Sequence, residues 1–245
     1  MTPAAKLLAV EQHSPVLFAA AHATEWGVCY TDPNNTASPD ANHAVVTDPA
    51  AGPAAVLAQV RAFYEARSIP PRLRLFLVPD RLPAWQAAAA QAGGTLTVSP
   101  ARLMVWQGAA PALPATPLTI ERETVFDPAA RETLLPEHPQ LEGPLCRCLN
   151  HGDFHLLMGR LFGTPVAMAA WWETPDAVRV SHVLTGPGFR GCGFAAALMR
   201  RLLEQTAPLQ KPVFLLADDP AALRLYARLG FADATGDMQP VTWQI

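Results

Sequence analysis

The chain of 245 residues lacks a basic surface: Lys and Arg together number 18 against 21 Asp and Glu, a formal net charge of −3. Holding nucleic acid through its phosphates needs several clustered cations, so that class of partner is excluded. No uncharged apolar run reaches the roughly 18 residues of a membrane span, because Arg160 and Glu173 bracket the best candidate. No membrane partner is expected. At the amino end Leu7-Leu8-Ala9-Val10 is cut short by Glu11, which argues against a secretory signal. Four cysteines in a chain this long point to reduced thiols and a cytoplasmic location, not a disulfide framework. Proline, by contrast, is abundant: 25 residues, about twice the usual share near 5%. It gathers in connectors such as Pro70-Pro71 and the stretch 111–117. That stretch reads as an interdomain linker between a unit at 1–110 and a unit at 118–245, each long enough for its own core.

Two familiar phosphate-binding patterns are also missing. The chain holds no Gly-Lys-Ser/Thr tripeptide, which removes the P-loop. The dinucleotide fingerprint needs a glycine three places beyond Gly193, where Ala196 stands. What is present is Pro187-Gly188-Phe189-Arg190-Gly191-Cys192-Gly193-Phe194-Ala195, preceded by a strand-like run at 178–185 and followed by an amphipathic segment at 196–205. A glycine turn between strand and helix is an anion cradle. Gly191 and Gly193 remove side chains where the main chain must approach the ligand, and the first helical turn offers free N–H donors and the positive end of its dipole.

A second organised segment follows. The uniformly apolar run 213–217 reads as a strand buried on both faces. Asp219 is then a competent N-cap with Pro220 at the first helical position, Ala222, Tyr226 and Leu229 recur at helical spacing, and Gly230 closes the helix. Upstream, 154–172 reads as two strands joined at Gly163-Thr164.

The glycine turn, Arg190-Gly191-Cys192-Gly193-Phe194-Ala195, resembles the R/Q-x-x-G-x-G/A acyl-CoA loop of the GNAT acetyltransferases. The second segment resembles that family's N-x-x-A-x-x-L-Y-x-x-x-G-F signature at Ala222, Leu225, Tyr226, Gly230 and Phe231, with Asp219 where the family usually has Asn. The resemblance covers roughly 118–245. It implies a mixed α/β fold, a central mixed and mostly antiparallel sheet flanked by helices, and an N-acetyltransferase moving acetyl from acetyl-CoA to a primary amine of a small molecule or peptide by direct attack. A non-catalytic acyl-CoA-binding or regulatory protein on the same scaffold is the alternative.

The same resemblance assigns roles. Tyr226 matches the general acid for the departing thiolate. Leu184 and Thr185 would lend main-chain groups to the pantetheine and thioester, and Arg190, Gly191, Cys192, Gly193, Phe194, Ala195 and Asp219 complete the donor site, with Cys192 a spacer. The base is open between His182 and Glu173; along a regular strand Ser181 and His182 face opposite ways, so only one reaches the cleft. The acceptor wall falls at 127–143, where Asp127, Glu132, Glu137 and Glu142 outnumber Arg131 and would favour a cationic amine. No metal is expected: Cys146, Cys148, His151 and His155 lack the ligand spacing of zinc sites. Acetyl-CoA and an amine are the expected partners, with homodimerisation left open.

An internal repeat completes the reading. Trp106 and Trp243, and Phe76 and Phe214, are separated by nearly the same offset, with a helix, strand, helix, strand order around each. Two tandem GNAT-like units are expected, the first degenerate: the offset that leads from Tyr226 lands on Ala88 or Ala89.

Overall fold

The computed structural model describes residues 2–48, 50–108 and 115–245. Of the linker expected at 111–117, residues 111–114 lie outside this set. The chain begins with α1 (Pro3–His13) and continues through β1 (Ala20–Ala23), β2 (Gly27–Thr31), β3 (Ala44–Val46), α2 (Pro53–Glu65), β4 (Arg72–Leu77), α3 (Leu82–Gln91) and β5 (Thr95–Val98). Next come β6 (Arg102–Trp106), β7 (Thr119–Glu123) and the short helices α4 (Ala129–Leu134) and α5 (Glu142–Cys148). The long strands β8 (Phe154–Leu161), β9 (Thr164–Glu173) and β10 (Val178–Thr185) lead into α6 (Phe194–Thr206). The chain ends with β11 (Val213–Ala217), α7 (Pro220–Arg228), β12 (Phe231–Asp233) and β13 (Gln239–Gln244).

Two sheets result, ordered β1-β2-β3-β4-β13-β5 and β12-β6-β11-β10-β9-β8-β7. Each has one parallel pair, β3 with β4 and β10 with β11, among antiparallel neighbours. The mixed, mostly antiparallel architecture flanked by helices is therefore as expected. The division of the chain is not. The compact units are Met1–Ala101 with Thr235–Ile245, and Arg102–Ala234, so a boundary at 111–117 is corrected at both ends. β6 enters the second sheet between β11 and β12, and β13 enters the first between β4 and β5. The reason is pairing on both edges: Trp243 and Val241 of β13, and Leu103 and Met104 of β6, are buried in the middle of sheets. The two strands that the repeat marks as equivalent have exchanged places.

In the second unit α6 lays Phe194, Leu198, Met199, Leu202 and Leu203 on one face of the sheet, over Ala167, Ala169 and Trp171 of β9 and Val178 and Val180 of β10. Cutting fully buried Leu198 to Ala would cost about 2–5 kcal/mol. Met168, Ala170 and Trp172 are buried on the opposite face, and α4 packs against β9. The β8–β9 hairpin turns at Phe162-Gly163, one residue earlier than expected, with φ of 50° and 86°. These values suit the left-handed two-residue turn that matches strand twist. The first unit has its own core around Leu57, Val60, Leu73, Trp85 and Trp243, with the Tyr64 hydroxyl donating to Tyr30 O at 2.9 Å. Among the described residues no helix is long and apolar enough to cross a membrane.

Candidate active site

The site is built where two parallel strands part. β10 pairs with β11 only at Val178↔Val213 and Arg179↔Phe214, although β10 continues for six more residues. On its other side β10 stays paired with β9 through Thr185, but the register shifts between Ser181 and Leu184. This is a β-bulge, centred on His182, whose φ is 51°. Positive φ is rare for a residue with a β-carbon and marks a position worth a functional explanation. Residues 181–185, including Leu184 and Thr185, are all half-buried. Main-chain groups on this stretch beyond Arg179 thus line a split in the sheet.

The glycine turn closes one end of the split. Gly186 lies so near α4 that a β-carbon would come within 2.4 Å of Thr133 O, a role the sequence pattern does not display. Gly191 and Gly193 have φ of 81° and 80°, and a β-carbon on either would meet nothing within 4 Å. Both the left-handed backbone and the open space above it fit an anion at this point. Gly193 is the N-cap of α6 and accepts from Ala197 N–H at 3.1 Å. The N–H groups of Phe194, Ala195 and Ala196 precede the first such bond, so they are the donors a helix leaves unmatched. Arg190 reaches out of the turn to pair with Glu137, and Cys192 is exposed.

Tyr226, on α7, belongs to the core cluster that also holds Phe194 of α6 and Val180 of β10. Asp219 accepts from Ala222 N–H at 2.7 Å as the cap of that helix, its observed task here. The Tyr226 ring is buried in the core beneath α6, with its centroid 5.8 Å from that of Phe231. Burial, and secondly the charge of Asp219, push its phenol up to about 12. It keeps its proton at neutral pH. Among the described residues its hydroxyl has no hydrogen-bond partner.

Residues 121–231 match the model of the acetyltransferase (GNAT) family. This segment is a GNAT domain. A GCN5-related N-acetyltransferase from Kribbella flavida superposes with a TM-score of 0.66 at 21% identity, covering 100% of this chain and 96% of that one. A conserved protein of unknown function from Staphylococcus epidermidis gives 0.63 at 12% identity, covering 93% of each chain. A tandem GNAT protein from the clavulanic acid biosynthesis pathway gives 0.59 at 14%, covering 93% of this chain and 83% of that one. These likenesses establish the fold across the whole chain, with two GNAT-like units. No curated protein matches the chain.

The two candidate bases of the GNAT domain fare differently. Glu173 is bound to Lys211 Nζ at 2.9 Å, and Lys211 also donates to Thr174 O at 2.8 Å. Glu173 pairs in register with Val178, four residues before His182, or about 13 Å along the strand. The structure does not bring it to the bulge. His182 is at the bulge, its Nδ1 3.0 Å from Ser181 Oγ and its ring edge-on to Phe154 with centroids 6.1 Å apart. The expected alternation of Ser181 and His182 is thus broken. The extra residue turns both side chains toward each other, a consequence of the bulge that strand periodicity cannot show.

The acidic segment is also less acidic than it reads. Asp127 meets Arg160 at 2.7 Å, Glu142 meets Arg131 at 2.5 Å, and Glu137 is tied to Arg190. Of its four carboxylates, Glu132 makes no ion pair among the described residues. The inference of a cationic acceptor loses its basis. Among the described residues no group of three or more His, Cys, Asp and Glu side chains could hold a metal ion. Cys148 is buried, its thiol pushed up to about 12 by that burial, while Cys146 is exposed. His155 instead faces Arg122 and lies against Trp171 at 4.7 Å. Burial, then the Arg122 charge, lowers its pKa.

Proposed function

We propose that the GNAT domain is an N-acetyltransferase that uses acetyl-CoA and acetylates a primary amine of a small molecule or peptide by direct attack. The observation that carries this reading is the split between β10 and β11, closed at one end by an open glycine cradle. The turn at Gly191 and Gly193 and the first N–H groups of α6 would hold the diphosphate. Main chain at Leu184 and Thr185 would hold the extended arm as an added strand, since the β11 side of β10 is unpaired there.

The two faces of the sheet suit the two halves of the reaction. Tyr226 belongs to the core on the α6 face, whereas Ser181 is paired with Ala170, whose side chain is on the opposite face. A thioester in the split would be attacked from one face and release its sulfur toward the other. Tyr226, protonated at neutral pH, donates to the thiolate as the C–S bond breaks. Four free cysteines and a CoA thioester substrate fit a cytoplasmic setting.

The test is calorimetry with acetyl-CoA followed by a thiol-release assay against a panel of primary amines. Binding and acceptor-dependent thiol release are expected. Binding without turnover across a broad panel would favour the non-catalytic acyl-CoA-binding alternative.

A further inference from the structure

The bulge brings together two polar side chains that a regular strand would separate, and the first of them, Ser181, is two residues beyond Arg179, the last β10 residue paired with β11. Ser181 is half-buried and in register with Ala170, the smallest side chain on that face of β9 after the bulky Trp172. The His182 ring lies edge-on to Phe154 of β8, with centroids 6.1 Å apart. Its Nδ1 is covered by the Ser181 hydroxyl at 3.0 Å. Ser181 Oγ is thus within hydrogen-bond reach of this nitrogen, on the stretch of β10 that β11 leaves unpaired.

We propose that Ser181 is a catalytic residue, its hydroxyl touching the acceptor amine and relaying the amine's proton to Nδ1 of His182. The proposal rests on the acetyl-transfer reading above and names the side chain that meets the acceptor. In the step, the nitrogen of a neutral amine forms a bond to the thioester carbon. One N–H proton passes to Ser181 Oγ while the hydroxyl proton passes to Nδ1. The C–S bond breaks with its electron pair on sulfur, which takes the Tyr226 proton. Imidazolium then loses its proton to water, and the tyrosinate regains one. The amine has become an amide, the thioester a free thiol, and both side chains are restored. His182 acts through Ser181 and needs no contact with substrate. A hydroxyl suits this place because it donates and accepts through one atom.

The experiment compares wild type with Ser181→Ala, Ser181→Thr and His182→Gln, using acetyl-CoA and glycinamide, spermidine and lysine ethyl ester as acceptors. Ser181→Ala should lower kcat by roughly 10²- to 10³-fold, within the range for lost general base catalysis. Its acetyl-CoA affinity and melting temperature should stay at wild-type values. Ser181→Thr should recover most of the rate, because the hydroxyl returns. A proton inventory in H₂O/D₂O mixtures should curve in wild type, with the amine, Ser181 and Tyr226 protons in flight, and should curve less in Ser181→Ala, which has lost the hydroxyl proton. A merely structural serine would leave the inventory unchanged. Wild-type kcat in Ser181→Ala, or an acetyl-serine at position 181 trapped by mass spectrometry, would overturn the relay alone. Absence of acetyl-CoA binding by the wild-type protein would overturn the acetyl-transfer reading beneath it.

Discussion

The turn from β3 into α2 and the turn from β10 into α6 hold the same place in two sheets of matching order, yet only the second carries left-handed glycines. In the second, Gly193 caps α6 in the left-handed conformation; a β-carbon there, as on Gly52 of the first, would meet nothing within 4 Å. In the first, Gly52 caps α2 with an ordinary φ of −74°, and the Asp48 carboxylate already accepts from Ala50 N–H at 2.9 Å. The strands differ as well, three residues in β3 against eight in β10, and the repeat offset that leads back from Tyr226 reaches buried Ala88 or Ala89 of the first unit. A common scaffold is thus distinct from the few groups that the proposed acetyl transfer would use in one copy.

The largest effect should come from cutting the chain by its apparent halves. A fragment 118–245 would lack β6, the strand between β11 and β12, and would carry β13 with no sheet to join. It should aggregate. A fragment 102–234 keeps every strand of the second sheet and should give the higher yield of soluble protein, measured by sedimentation and cooperative urea unfolding. Equal behaviour of the two fragments would contradict the exchange of β6 and β13.

Within the second unit, Tyr226→Phe should lower kcat by roughly 10²- to 10⁴-fold with little change in acetyl-CoA affinity. The ring still packs against Phe231. Because burial holds the phenol at about 12, wild-type kcat should show no fall attributable to this group near pH 10, the usual tyrosine value. A limb at pH 10 that vanishes in Tyr226→Phe would show the hydroxyl in a far wetter place.

Stability against pH should distinguish the units next. His43, buried in the first unit, is lowered to about 3, chiefly by desolvation and then by Arg74. A depressed folded value means a contribution that is complete above about 6.5 and lost as pH falls toward 3. Urea midpoints should therefore decline across that window, and less steeply in His43→Asn. At the other end Cys29, raised to about 11, and Tyr30, Cys148 and Tyr226, raised to about 12, all owe their shifts first to burial. Their contribution is complete below the unfolded values, about 8.5 for thiols and 10 for phenols, and is lost as pH rises through 11–12.

The smallest effect belongs to the Arg190–Glu137 pair, both of whose side chains are about half-exposed. Glu137→Gln should change folding stability by less than about 1 kcal/mol in a urea titration.

How much of this was legible depended on the range of the contact involved. The turn at Arg190 to Ala195 and the Asp219 cap are local, and their residues declare the backbone they need. Repetition revealed that the strands of Trp106 and Trp243 are equivalent, but which sheet each joins is decided by edges far away in sequence. The bulge at His182 carries no glycine to announce it, so alternation placed Ser181 on the wrong side of its neighbour. Gly186 looked like any loop glycine because its reason, the Thr133 carbonyl, comes from another element. Likewise the acidic 127–143 segment could not show that Arg160 and Arg190 would answer its charges.

The central claim is that one of two like turns binds acetyl-CoA, and calorimetric titration of the full chain tests it most directly, in wild type and in Gly193→Val. The account predicts one site per chain in wild type. In Gly193→Val, affinity should fall about 100-fold or more, the ~3 kcal/mol of two lost hydrogen bonds to charged phosphate, while the protein still unfolds cooperatively. Two sites per chain, or unchanged affinity in a folded Gly193→Val protein, would contradict it.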